Sequence, residues 1–273
     1  MANWTKNSFS NVSVFQDAVD DLKKGAKSFR LGAFLAWRES FLSYRLGFLG
    51  PAWITIQSAL WVFVIGIFVG PSLKLDGGYY IAYIALGFSV FNLLSLYFVE
   101  GSQVFISGKR YILNVPNPFS IFAYKLIYKS LLQLVMVLPI IILAMIIERV
   151  PLGQTIFLSF FGLILALIFG FGAALLLGTA SVLHRDLTFA IQAVMRLMMF
   201  VTPIFWVLQG GGMRMTVSSY NPIHIYLQVI RQPMLGQPPS TSEWTVAIIL
   251  AFTTLIIGCL VFVTRRHKLA VWL

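Results

Sequence analysis

Apolar residues gather in six stretches, at roughly 52–70, 79–98, 125–147, 156–182, 190–209 and 245–264, separated by polar connections. About 20 apolar residues rising 1.5 Å each cross a hydrocarbon core about 30 Å thick, so every stretch predicts a membrane-crossing helix. Lipid offers no partner to backbone N–H and C=O groups, and a helix satisfies them within the segment. Gly87, Pro139, Gly170 and Pro203 interrupt four of the stretches, which spanning helices tolerate better than soluble ones do. The pattern predicts an all-α integral membrane protein with six transmembrane helices. Residues 29–273 form the membrane domain, and 1–28 form a polar N-terminal tail.

Two segments fall outside this pattern. Residues 29–50 predict an interfacial helix. At about 100° per residue, Leu31, Phe34, Leu35, Leu42 and Leu49 share one side with Arg38 and Arg45. Gly32, Ala36, Ser40, Ser43 and Gly47 occupy the other, a small-residue side suited to close packing. The two arginines fit two readings: they anchor the helix to lipid headgroups, or they recognise the phosphate of a lipid-linked ligand. Residues 217–236 are apolar but broken by Pro222 and Pro233 and carry Arg231, which makes them a poor span. A re-entrant helical pair on the outer side fits them better.

Charge orients the chain. Of 20 basic residues, only Lys74, Arg149, Arg214 and Arg231 fall on one side of the predicted spans. The other sixteen cluster in the N-terminal segment, the 99–129 region, around Arg185 and Arg196, and at Arg265, Arg266 and Lys268. By the positive-inside rule that side is cytoplasmic and holds both termini. The net charge of +11 is therefore distributed as a topology signal, and no basic module suits nucleic acid. A single cysteine, Cys259, excludes an internal disulfide, and His184, His224 and His267 lack neighbours at metal-ligand spacing. No phosphate-binding G-x-x-x-x-G-K-[ST] loop is present, so ATP is not expected to bind here. The first 28 residues lack the apolar core of a cleavable signal peptide. All nine acids (Asp17, Asp20, Asp21, Glu39, Asp76, Glu100, Glu148, Asp186 and Glu243) lie in tails, connections or span ends, which argues against ion-coupled transport through a mid-membrane carboxylate.

Three segments in register resemble ABC-2 type permeases that export polysaccharides. They are Tyr44-Arg45-Leu46-Gly47-Phe48-Leu49-Gly50-Pro51-Ala52-Trp53; Arg185-Asp186 followed by Val201-Thr202-Pro203-Ile204-Phe205-Trp206; and Tyr220-Asn221-Pro222-Ile223 with Arg231 nine residues after Pro222. The resemblance covers roughly residues 29–270, and residues 1–28 match nothing in it. It implies a homodimer in the bacterial inner membrane, paired with two copies of a separate ATPase that performs all the chemistry. No catalytic residue, metal or cofactor is then expected in this chain. The implied substrates are O-antigen, capsular polysaccharide, teichoic acid or related lipid-linked glycans, with the wording closest to the O-antigen branch.

The resemblance also assigns regions. Residues 101–112 become the coupling helix in the ATPase cleft, with Gln103, Ser107, Lys109 and Arg110 as contacts; an ordinary basic loop is the alternative. Arg185 and Asp186, beside His184, form a second contact or a local ion pair. Tyr220, Asn221, Pro222 and Arg231 belong to the re-entrant gate. Sugars stack on aromatic faces, so Tyr44, Trp61, Tyr97, Phe98 and Trp206 are expected along the glycan path, other aromatics being interfacial anchors. An ABC-2 exporter of small molecules, and a stand-alone channel or ion-coupled carrier, are the competing expectations.

Overall fold

The structure, a computed structural model, describes residues 11–42, 49–69, 78–114, 118–151, 153–207 and 220–273. These residues form eleven helices and no strand: α1 (Asn11–Lys27), α2 (Phe29–Leu42), α3 (Ala52–Val69), α4 (Tyr80–Ser102), α5 (Val104–Ser107), α6 (Lys109–Asn114), α7 (Ile121–Ile147), α8 (Ile156–Leu183), α9 (Asp186–Val201), α10 (Pro222–Met234) and α11 (Thr241–Trp272). Five of them, α3, α4, α7, α8 and α11, are long and apolar enough to cross a membrane. They correspond to five of the six predicted stretches and describe a multi-pass, all-helical membrane protein.

The stretch at 190–209 takes a different form. Its helix α9 starts earlier, at Asp186, and stops at Val201 after 16 residues, about 24 Å at the helical rise. Pro203 sets that end, because a proline ring pushes the preceding residue out of the helical region. Thr202 is accordingly extended, with φ −79° and ψ 136°. From the region predicted as a re-entrant pair, one helix is described, α10. Asn221 caps it by accepting from the Ile223 N–H at 3.0 Å, and Pro222 opens it where an N–H would be unpaired anyway. Residues 217–219 of that region lie outside the described residues, and the rest of it holds this one helix.

Helix α4 stands at the centre, in contact with α3, α7, α8, α9 and α10. Glu148, after α7, caps its start: the N–H groups of Ile81 and Ala82 each donate to one carboxylate oxygen at 2.8 Å. The tightest junction joins α8 to α11. A Cβ placed on Gly258 would stand 2.2 Å from the Gly172 carbonyl oxygen, and one on Gly172 would meet the Leu255 backbone at 2.6 Å. Only glycine permits that approach, the small-residue packing that substitutes for a hydrophobic drive between helices in lipid.

The small-residue side predicted for the interfacial segment is the side that packs. Gly32, Ala36 and Ser40 of α2 are buried, and Gly32 lies against the Tyr128 ring of α7. Leu31, Phe34, Arg38 and Leu42 face outward, and Ser43 to Phe48 lie outside the described residues. The N-terminal segment is more than a tail. Helix α1 buries Asp21, whose two oxygens accept from the Phe119 and Ser120 N–H groups at 3.0 and 2.9 Å, ahead of α7. Arg266 of α11 donates from Nε to the same carboxylate at 2.8 Å, so the two ends of the described chain meet on one side of the bundle.

Candidate functional site

A groove of about 660 Å³ opens between α2, α3, α4 and α7. Helical spacing builds its walls. Phe88, Asn92, Leu96 and Glu100 recur every four residues along one face of α4. Lys129, Gln133 and Met136 come from α7, and Gln57, Ser58 and Trp61 from α3. Polar side chains inside otherwise apolar spans are costly in lipid and mark a wet or ligand-filled path. Here Gln57, Asn92 and Gln133 all face the same volume.

An ion network closes one end of the groove. The Glu39 carboxylate of α2 accepts from Lys125 Nζ at 2.7 Å through one oxygen and from Lys129 Nζ at 2.8 Å through the other. Lys129 also donates to Glu100 at 2.6 Å. Burial by itself would raise the Glu39 carboxyl. Lys125, and after it Lys129, outweigh that and hold it below the ordinary carboxylate value. A second cavity, about 400 Å³, lies on the far side of this network, lined by Arg38, Glu39, Ser107, Tyr111 and Lys125 among others. Glu39 borders both volumes. A third, apolar cavity of about 200 Å³ touches the groove at Asn92 and Gln133 and extends to Ile141 and Phe160.

The aromatics expected along the path separate. Trp61 lines the groove and stacks near Phe88, ring centroids 5.9 Å apart. Tyr97 does not reach it: the ring is fully buried against Gly170 and the hydroxyl is hydrogen bonded to Ser130 at 3.0 Å. Phe98 packs on Phe169 of α8 instead. Trp206 donates from Nε1 to the Phe200 carbonyl at 3.1 Å, and its own carbonyl accepts from the Tyr83 hydroxyl. Arg38 lines the second cavity. Tyr44 and Arg45 lie outside the described residues.

The segment expected as one coupling helix is broken into three. Gly101 and Ser102 complete α4, Gln103 and Gly108 interrupt, and α5 and α6 lie between and after them. At Gly108 the Phe122 ring passes where a Cβ would sit, at 2.8 Å. Ser107 borders the second cavity, and Lys109 donates to the backbone carbonyl of Leu273. Arg110, Arg185 and Asp186 are exposed, and no ion pair joins Arg185 to Asp186 among the described residues. Asp186 instead sits in the first turn of α9, where its charge suits the helix dipole.

Two of the three resemblance segments come together. Asn221 donates to the Thr202 hydroxyl at 2.8 Å. Arg231, 3% exposed, donates to the Pro203 carbonyl at 3.0 Å and to Gln228 at 3.2 Å, with its guanidinium 3.8 Å from the Tyr83 ring centre. Tyr220 is exposed, and Pro222 occupies the first turn of α10.

Glu39, Lys125, Lys129 and Glu100 form a unit that their positions in the sequence, among the charges of tails, connections and span ends, do not predict. A signal existed: Lys125 and Lys129 lie four apart within an apolar run and must share a face. Gln57, Asn92 and Gln133 carry a similar signal as lone amides inside spans. No protein-family model matches the chain, and no curated protein matches it.

Proposed function

We propose that this chain is the membrane permease subunit of an ATP-driven ABC exporter that moves a lipid-linked polysaccharide, O-antigen first among them, across the bacterial inner membrane. The groove carries the reading: it is a polar volume among spans, walled by Trp61 and three amides and closed by an ion network at one end. A long amphipathic cargo needs such a lining, whereas a purely structural bundle would fill it with apolar side chains.

In this reading α9 and the turns to Trp206 complete a sixth crossing, α10 belongs to the re-entrant region, and both termini are cytoplasmic. The basic residues of α1, Lys109, Arg110, and Arg265, Arg266 and Lys268 of α11 then lie inside, at the end where α1 and α11 meet. The broken α5–α6 segment rests in a cleft of the ATPase, with Lys109 and Arg110 at its surface. Two copies of the chain pair with two copies of the ATPase, and nucleotide binding there shifts the spans. The rival ABC-2 exporter of small hydrophobic compounds shares every one of these parts except the cargo.

The deciding experiment deletes the gene and follows the cell's surface glycan. Loss of surface decoration with lipid-linked glycan accumulating inside supports the reading. Normal decoration with raised sensitivity to hydrophobic drugs supports the small-molecule exporter. A purified chain that moves cargo in liposomes with no ATPase present ends both.

A further inference from the structure

We propose that Lys125 and Lys129 form a binding site for a phosphate-class anion, and that Glu39 is the internal anion that occupies it until the ligand arrives. The two ammonium groups stand one turn apart on α7, and each grips a different oxygen of a single carboxylate, at 2.7 and 2.8 Å. A phosphate presents oxygens in the same way to two cations. The carboxylate also stands at a boundary: Lys125 lines the 400 Å³ cavity, Lys129 lines the 660 Å³ groove, and Glu39 lines both.

An anion entering the smaller cavity meets Arg38 on α2 and Lys125 before it. It reaches Lys129 by displacing Glu39, and so loosens the side-chain hold of α2 on α7. Glu100 remains as the counterion of Lys129, 2.6 Å away, and keeps that lysine positioned through the exchange. A hydrocarbon chain attached to the anion has room along α7, where the apolar cavity begins at Gln133 and continues to Ile141. The lipid source of the anion rests on the exporter reading; the anion site does not.

The test is equilibrium binding of radiolabelled farnesyl phosphate to the full chain in phosphatidylcholine nanodiscs, without ATPase or ATP. Its failure is therefore separate from any failure of transport. Unlabelled inorganic phosphate and farnesol serve as competitors. Lys125→Met with Lys129→Met is expected to weaken binding about tenfold or more, the scale of one lost charge-assisted contact. Glu39→Gln is expected to tighten it about tenfold, because the internal competitor is gone. That second sign separates ligand exchange from a merely structural ion pair, whose loss would loosen the fold and improve nothing. Competition by inorganic phosphate as potent as by farnesyl phosphate upholds the anion site and assigns it to a free anion rather than a lipid headgroup. Equal competition by farnesol, or an affinity unmoved by Glu39→Gln, overturns the proposal.

Discussion

Arg231 donates from Nη1 to the Pro203 carbonyl at 3.0 Å, across 28 residues of chain. The guanidinium is buried, and no carboxylate among the described residues pairs with it; its other partners are Gln228 and the Tyr83 ring. Arginine suits this place because its planar fork serves two acceptors while its face stacks on an aromatic ring. Lysine would keep the charge and lose the fork. Arg231→Lys should therefore melt lower in detergent than Arg231→Met, which removes the charge and leaves the Pro203 carbonyl with its Tyr83 donor at 3.3 Å. A lysine variant as stable as the parent would show that the fork contributes nothing.

Gly258→Ala should cost about 1–3 kcal/mol, the usual scale for overpacking, because the new methyl would meet the Gly172 carbonyl at 2.2 Å. Backbone on backbone cannot yield as a flexible side chain does. Gly153→Ala is the control, since its Cβ would make only ordinary contact with Thr155 at 3.5 Å. Thermal melting of both variants in one detergent measures the difference.

Asp21→Ala should release α1. The substitution orphans the Phe119 and Ser120 N–H groups, at about 1–3 kcal/mol for each donor left buried, and removes the ion-pair partner of the partly exposed Arg266. Trypsin should then cut after Lys23, Lys24 or Lys27 severalfold faster than in the parent. An unchanged cleavage rate would mean that α1 is held by other contacts.

The Glu39 carboxyl titrates below its ordinary value of 4.5. A group with a depressed folded pKa contributes stability above its unfolded value and loses it as pH falls through the folded one. The attachment of α2 should thus be constant from neutrality down to about the ordinary value and weaken only below it. The readout is the mobility of a spin label at the exposed Phe34 position. Glu39→Gln should be mobile throughout and show no such acid step.

How far the chain could be read in advance depended on whether the determining contact was local. The crossings at α3, α4, α7, α8 and α11 were legible because about 20 apolar residues in a row need no partner to be recognised. The packing side of α2 was legible from the periodicity of Gly32, Ala36 and Ser40. The stop at Thr202 has its cause in Pro203, but the apolar composition continues past it and masks the break. Asp21 gave no local sign that it ties down the turn ahead of α7, some hundred residues on. Nothing in the order of residues announces that Glu39 meets Lys125 and Lys129, since that pairing exists only once α2 lies on α7. For the same reason Trp61 reached the groove while Tyr97 and Phe98 did not: apolar rings read alike in sequence whichever way their helix turns.

Where Gly172 meets Gly258 there is no side chain to rearrange, so α8 and α11 cannot slide past one another without opening the backbone contact itself. By contrast, α2 and α3 reach α7 through side chains, the Glu39 ion pairs and the Thr55-to-Met136 hydrogen bond among them, and contacts of that kind can break and reform.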